Sequence, residues 1–195
     1  VGRPPGGGPR WAHGIPRDEF LEAAGPSLKG VCAFAVGVDN IDLAACARRG
    51  VAVSNTPDAV TEGTANLAWG LILACTRRIV PADAFVRGGR FEHEGNGFPG
   101  GWMGVHLSGR TLCIVGAGRI GLAVARRGVA FGMRVTYVAR SPHPELESAA
   151  VGGVRVTLDQ GLAESDVVSL HTPLTPQTRG LIGAPAHGLW AMWTE

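Results

Sequence analysis

The chain has 195 residues, of which 45% are hydrophobic and 17% are charged, and its formal net charge is +2. This composition is typical of a globular protein and excludes a disordered one. The basic residues are scattered in ones and twos, without the patch or stripe that a nucleic-acid surface needs, so we expect no nucleic-acid partner.

The start of the chain differs from the rest in composition. Residues 1–14 are largely Gly and Pro, which predicts a disordered lead-in or the remnant of a misread coding sequence. No signal-peptide pattern is visible, and the dense apolar run 65–75 is shorter than the roughly 20 residues that span a bilayer. We therefore expect a cytoplasmic protein that does not contact a membrane.

The four cysteines form no C-x-x-C pair, and all of them lie in apolar runs. This pattern predicts small buried side chains in a reducing compartment, and it predicts no metal site.

The first ordered stretch alternates helices and strands. Residues 17–25 predict a short amphipathic helix, and the apolar runs 31–36 and 51–55 predict buried strands. The helix between these two strands is preceded by Asp39 and Asn40, either of which is placed to cap it. A strand, helix and strand at this spacing predict a βαβ unit with parallel strands.

A longer helix follows over residues 61–79, with Thr61 as its expected cap and Arg77 and Arg78 in its last turn. Apolar residues occur on all of its faces. This predicts a helix buried on all sides, between two lobes or in a dimer contact. The glycine-rich residues 88–109 lack periodicity and predict an irregular crossing segment.

A second alternating run begins at residue 110. Apolar runs predict strands at 111–116, 134–139, 154–157 and 166–172, and the first two are separated by a helical pattern over about 119–131. The alternation predicts a second α/β lobe with a parallel sheet.

Three glycines follow the first strand of this second lobe: Gly116, Gly118 and Gly121 form a G-x-G-x-x-G pattern. In a dinucleotide-binding unit the first makes a tight turn, the second admits the pyrophosphate, and the third lets helix and strand pack closely. A glycine-rich chain produces this pattern by chance, but the flanking strand and helix favour a true cradle. The pyrophosphate would then lie on the helix N-terminus near Arg119.

The next strand ends at Arg140 and Ser141, with no carboxylate before Glu145. An NAD site usually carries Asp or Glu at this place to hold the ribose 2′-hydroxyl. An arginine can instead pair with a 2′-phosphate. The pattern favours NADP(H) over NAD(H), and the alternative is that Arg140 merely points into solvent.

Three stretches in fixed order carry a resemblance that is more specific than the glycine loop. They are "LKGVCAFAVGVDNIDLAACARRGVAVSNTPDAVTEGTANLAWGLILACTRR", "LSGRTLCIVGAGRIGLAVARR" and "AESDVVSLHTPLTPQTRGLI". The chain resembles the D-isomer-specific 2-hydroxyacid dehydrogenases, most closely the glyoxylate/hydroxypyruvate reductase branch. The resemblance implies a flavodoxin-like substrate lobe joined to a Rossmann-type cofactor lobe in a homodimer. It also implies hydride transfer between a nicotinamide and a small 2-oxo or 2-hydroxy acid.

The same resemblance implies roles for individual residues. The amides of Val36 and Gly37 would bind the substrate carboxylate, although Gly37 can also be a plain turn glycine. Thr64 would lie near the nicotinamide, unless its hydroxyl only satisfies the start of the helix. His171 follows a strand on the cofactor side and is not expected to be a general base. The remaining cofactor-binding residues implied are Gly116, Gly118, Arg119, Ile120, Gly121, Arg140, Ser141, Thr172, Pro173 and Thr178.

The family's catalytic arginine, glutamate and histidine belong to later segments, for which this sequence has no match. We therefore assign no catalytic residue, and we expect a chain that is incomplete at both ends and inactive alone. The alternatives are a non-catalytic dinucleotide-binding or interaction module and a non-functional gene fragment. The predicted organisation is a lead-in at 1–14, a partial substrate domain at 15–60, an interdomain helix with a linking or dimerisation segment at 61–109, a truncated Rossmann domain at 110–183 and a divergent tail at 184–195.

Overall fold

The computed structural model describes residues 18–95 and 103–183. The chain forms two compact units that divide between Ala59 and Val60. Both units are built from parallel strands and helices, which confirms the predicted α/β class. The predicted lead-in at 1–14 and the predicted tail at 184–195 lie outside the described residues.

Over its described residues 18–59, the first unit contains two helices and two strands. These are α1 (Asp18–Ala24), β1 (Gly30–Cys32), α2 (Leu43–Arg48) and β2 (Ala52–Ser54). The two strands pair in parallel, as the βαβ spacing predicts. A small core joins the elements, and its buried members are Leu21, Ile41, Ala45, Cys46 and Val51.

Two sequence predictions for this unit are wrong in detail. The strand predicted over 31–36 ends at Cys32, and Phe34 is 91% exposed instead of buried. The cap of α2 is Asp42, whose carboxylate accepts a hydrogen bond from the Ala45 amide at 2.8 Å. Asp39 and Asn40 do not cap this helix because α2 begins later than predicted, and a capping residue must directly precede its helix.

Where the structure describes it, over residues 60–95 and 103–183, the second unit contains a four-stranded parallel sheet with the order β5-β4-β3-β6. Its elements are α3 (Thr61–Thr76), α4 (Ile79–Arg87), α5 (Arg90–Glu94), β3 (Thr111–Val115), α6 (Arg119–Ala130), β4 (Arg134–Val138), α7 (Pro144–Glu147), β5 (Val154–Arg155), α8 (Leu158–Glu164) and β6 (Val167–Leu170). The strands and the helix predicted after residue 110 are all present, some of them shorter than predicted. This strand order is the beginning of a doubly wound Rossmann sheet.

The core of the second unit is built around β3, all five of whose residues are buried. Helix α6 packs on this sheet with most of its first half buried. Helix α3 is tied to α6 by Trp69, whose indole N–H donates to the Val124 carbonyl at 3.0 Å. The Trp69 ring also stacks on Phe131 with 4.4 Å between centroids. Helix α3 is therefore part of the core of the second unit.

The environment of α3 differs from the prediction. Its N-cap is Val60, and the hydroxyl of Thr61 is buried without a hydrogen-bond partner in the described part of the chain. Ala65 and Trp69 are buried, whereas Leu67 and Leu71, on another face, are 64% and 58% exposed. Among residues 18–95 and 103–183, the helix is thus not buried on all sides, because the face that packs on α6 is covered and the face of Leu67 and Leu71 is not.

The linking segment is more regular than predicted. Helix α4 was not expected, and α5 lies inside the stretch predicted to be irregular. An ion pair between Arg90 and Glu94, at 2.7 Å and four residues apart, supports α5 locally. The prediction that all cysteines are buried is also wrong, since Cys32 and Cys75 are exposed.

Asp166 joins the beginnings of β3 and β6, which are neighbours in the sheet. Its carboxylate accepts hydrogen bonds from the Thr111 amide and from the Arg110 guanidinium, each at 2.8 Å. The Asp166 side chain is largely shielded from solvent, whereas that of Arg110 is about half exposed. The bond to the amide is therefore the less screened of the two, and it fixes how β6 enters beside β3.

We predict that Asp166→Ala destabilises the protein by about 2 kcal/mol, because the Thr111 amide loses a charged acceptor. The matched variant Arg110→Ala keeps that bond and should cost less than about 1 kcal/mol, as expected for an exposed ion pair. Urea unfolding followed by far-ultraviolet circular dichroism measures both values. Equal losses would show that the ion pair, and not the amide bond, is the stabilising contact.

Candidate dinucleotide-binding site

Gly116, at the end of β3, has a backbone conformation that favours glycine. Its φ is +105°, and a Cβ there would lie 2.7 Å from both the carbonyl carbon and the oxygen of His171. The Gly116 amide donates to the Val138 carbonyl at 3.0 Å, and the His171 amide donates to Val115 at 2.7 Å. The carboxyl ends of β3, β4 and β6 therefore meet at this glycine.

The other two glycines of the loop have different surroundings. A Cβ on Gly118 would meet no protein atom within 4 Å, so the space beside it is open. A Cβ on Gly121 would overlap the Gly116 carbonyl oxygen and approach the Ile114 side chain to 2.9 Å. Gly118 thus leaves room for a ligand, and Gly121 permits close packing of α6 on β3.

Helix α6 begins directly above this loop. The Leu122 amide donates to the Gly118 carbonyl at 2.9 Å and makes the first helical bond, so the amides of Ile120 and Gly121 precede the helical ladder. The positive end of the helix dipole and these amides favour an anion. Arg119 is exposed at the same end. The predicted cradle residues Gly116, Gly118, Arg119, Ile120 and Gly121 therefore lie together around one helix start.

The segment after β4 is held by two side chains that the sequence analysis did not identify. Tyr137 is fully buried, and its hydroxyl donates to Glu147 and accepts from the His143 amide at 2.9 Å. Burial, together with the bond to Glu147, raises the pKa of Tyr137. Arg155 donates to the carbonyls of Ala139 and Arg140 at 3.0 and 2.7 Å. Both contacts cross between separate elements, so no local sequence pattern signals them.

The predicted specificity residues lie within this segment. Arg140 and Ser141 are both exposed, just after β4, at the carboxyl end of the sheet, where the glycine loop also lies. Their side chains are accessible to a ligand at that edge.

The segment after β6 forms the opposite side of the loop. The Nε2 atom of His171 lies 2.8 Å from the hydroxyl oxygen of Ser169. Burial lowers the pKa of His171 below its usual value. Thr172 is half-buried and Pro173 is exposed. The Thr178 hydroxyl donates to the Pro173 carbonyl and closes a turn. Thr178 therefore shapes this segment, and its contact with a cofactor stays a prediction.

A cavity of about 760 Å³ lies between α3 and the β6 end of the sheet. Thr64, on the first turn of α3, and His171 both line this cavity. The rest of its wall is mainly apolar. The predicted substrate residues Val36 and Gly37 belong to the first unit, where the Val36 carbonyl accepts from the Asn55 side chain at 2.8 Å. Their role stays a prediction.

Metal-ligating side chains are not clustered in residues 18–95 and 103–183. Within these ranges, no three His, Cys, Asp or Glu side chains are grouped so as to hold a metal ion. None of the helices in the same ranges has the length and apolar character needed to cross a membrane.

Comparison with known proteins gives concordant matches. A family model for the NAD-binding domain of D-isomer specific 2-hydroxyacid dehydrogenases matches residues 69–189. The chain is 48% identical over 166 residues to a glyoxylate reductase of Thermococcus litoralis, covering 85% of this chain and 50% of that protein. The chain spans about half the length of the curated relatives it matches.

Solved structures share the fold. A glyoxylate reductase from Paecilomyes thermophila has a TM-score of 0.77 and 36% identity, covering 88% of this chain and 50% of that one. A D-lactate dehydrogenase from Aquifex aeolicus, in complex with NAD and lactic acid, has a TM-score of 0.79 and 32% identity, with coverage of 89% and 50%.

We predict that Gly121→Ala destabilises the protein by about 1–3 kcal/mol, since the added methyl group overlaps the Gly116 carbonyl. The matched variant Gly118→Ala adds the same group where no protein atom lies nearby. It should change the free energy of unfolding by less than about 0.5 kcal/mol. Urea unfolding compares them, and equal destabilisation would contradict the different roles of the two glycines.

The stability of the protein should fall in acid partly through His171. Its pKa is lowered in the folded state, so the unfolded chain binds the proton more readily below about pH 6.5. Wild type should lose more stability between pH 7.5 and 5.5 than His171→Gln, which lacks the titrating group. Chemical unfolding at both pH values measures this difference, and parallel losses would exclude a contribution from His171.

Proposed function

The chain belongs to the D-isomer specific 2-hydroxyacid dehydrogenase family, and from this premise we propose that its second unit holds a nicotinamide dinucleotide. The observation that carries the proposal is the division of roles among the three loop glycines. Open space beside Gly118 would receive the pyrophosphate, while Gly116 and Gly121 keep the strand, the loop and the helix in close contact. The amides of Ile120 and Gly121, which precede the helical ladder of α6, would donate to the same pyrophosphate.

The cofactor we propose is NADP(H) in preference to NAD(H). The support is the exposed Arg140 at the end of β4, followed by Ser141, where an NAD-specific site usually carries a carboxylate. A guanidinium forms strong charge-assisted hydrogen bonds with a phosphate. The 2′-phosphate of the adenosine ribose would be its partner, and Thr64, Thr172, Pro173 and Thr178 would line the rest of the cofactor.

For the whole protein we propose reduction of a small 2-oxo acid, such as glyoxylate or hydroxypyruvate, by hydride transfer from the nicotinamide. The amides of Val36 and Gly37 would hold the substrate carboxylate. We expect this chain alone to bind the cofactor without turning over, because the family's proton donor is assigned to no residue in it. A homodimer in the cytoplasm is part of the same proposal, and the exposed Leu67 and Leu71 of α3 are compatible with such a contact.

We predict that the purified chain binds NADPH more tightly than NADH by isothermal titration calorimetry. Arg140→Ala should weaken NADPH binding about tenfold, as expected for the loss of one charge-assisted hydrogen bond. It should leave NADH binding unchanged within about twofold, because NADH lacks the 2′-phosphate. Gly118→Ala should weaken both cofactors, since its methyl group takes the space of the pyrophosphate.

Three outcomes would contradict these expectations in different ways. If neither dinucleotide binds, the proposed cofactor site is wrong. If both bind and Arg140→Ala changes them equally, the site is correct and the NADP preference is wrong. Oxidation of NADPH by this chain in the presence of glyoxylate, above a blank without protein, would contradict the expectation that it does not turn over.

A further inference from the structure

On the side of β5, the end of β4 has no strand partner among the described residues, at the place where the cofactor's ribose would lie. Strand β5 has only two residues, with Arg155 opposite Tyr137, and the Val156 amide still donates to the Tyr137 carbonyl at 2.9 Å. In a continued parallel ladder, the Ala139 carbonyl would accept from residue 158. Leu158 begins α8 instead, so the ladder does not continue to this carbonyl.

A side chain replaces the missing strand. The guanidinium of Arg155 donates from Nε to the Ala139 carbonyl at 3.0 Å and from a terminal nitrogen to the Arg140 carbonyl at 2.7 Å. The planar fork of an arginine can satisfy two neighbouring acceptors at once, which a lysine cannot do with the same geometry. The backbone of Ala139 and Arg140 is therefore held from the side of β5.

The far end of the same segment, at His143, is fixed by Tyr137. The hydroxyl of Tyr137 accepts from the His143 amide at 2.9 Å and donates to Glu147 at the end of α7. Tyr137 and Arg155 are opposite each other in the ladder, and together they fix both ends of residues 139–143. Arg140 and Ser141 lie between these two attachments, with exposed side chains.

We propose that Arg155 is a positioning residue that sets the cofactor preference of this site. By holding the two carbonyls, it fixes the backbone that aims Arg140 and Ser141 at the 2′-phosphate. It also brings a second positive charge to the same end of the sheet. The inference rests on the proposed function, because it concerns the ribose end of the dinucleotide that the glycine loop holds.

The role of Arg155 predicts a change in one cofactor and not in the other. Arg155→Met keeps an unbranched apolar stem and removes both hydrogen bonds. It should weaken NADPH binding about tenfold in the full chain, the effect of losing a charge-assisted contact, and leave NADH within about twofold. Arg155→Lys keeps the charge without the fork, so its loss for NADPH should lie between those of wild type and Arg155→Met. Arg126→Met removes another exposed arginine, on α6, and should change neither cofactor.

Calorimetric titration of these four proteins with NADPH and NADH separates the possible failures. If wild type binds neither dinucleotide, the proposed function fails and the role of Arg155 fails with it. If wild type binds NADPH and Arg155→Met keeps the wild-type ratio of the two dissociation constants, only the positioning role is overturned. If Arg155→Lys binds NADPH as tightly as wild type, the guanidinium's two hydrogen bonds are not needed, and only a role for the positive charge is left. If Arg155→Met does not fold by circular dichroism, Arg155→Lys decides, and an unchanged ratio in it overturns the proposal.

Discussion

Strand β3 is the element on which the rest of the second unit depends. It is buried along its whole length and is hydrogen-bonded to β4 on one side and to β6 on the other. A strand in this position has no freedom to shift, because any change of register would break two ladders at once. The glycine loop therefore begins at a fixed point, where the close approach of Gly116 to His171 and of Gly121 to Gly116 determines its course.

Much of this architecture could be predicted from the sequence where short-range pattern and burial agree. Apolar runs separated by glycine and helical patterns predicted the parallel strands after residue 110, and the glycine spacing predicted the cradle. The errors concern features that depend on tertiary packing. Asp42 caps α2 in place of Asp39 or Asn40, because the exact first residue of a helix depends on tertiary packing. The exposed Leu67 of α3 shows that apolar composition alone does not tell which faces of a helix are covered.

The part of the site that sequence reasoning missed depends on contacts between distant residues. Arg155 and Tyr137 act on a segment that lies beyond their own strands, through hydrogen bonds to backbone carbonyls and an amide. Nothing about an arginine in a short strand indicates which carbonyls it reaches, since that depends on strand register and on where the next helix begins. The residues proposed to touch the ligand were thus open to prediction from a local motif, whereas the residues that hold their backbone were not.

The contact between Gly116 and the His171–Thr172 peptide has an evolutionary consequence. No side chain can be added at position 116 while that peptide stays in place, and moving the peptide also displaces the end of β6. A single substitution at position 116 is therefore not tolerated. A tolerated change would need compensating changes in two segments that lie more than fifty residues apart in the chain. The glycine loop and the β6 end should consequently diverge as one unit among descendants of this sequence, even where their surroundings drift independently.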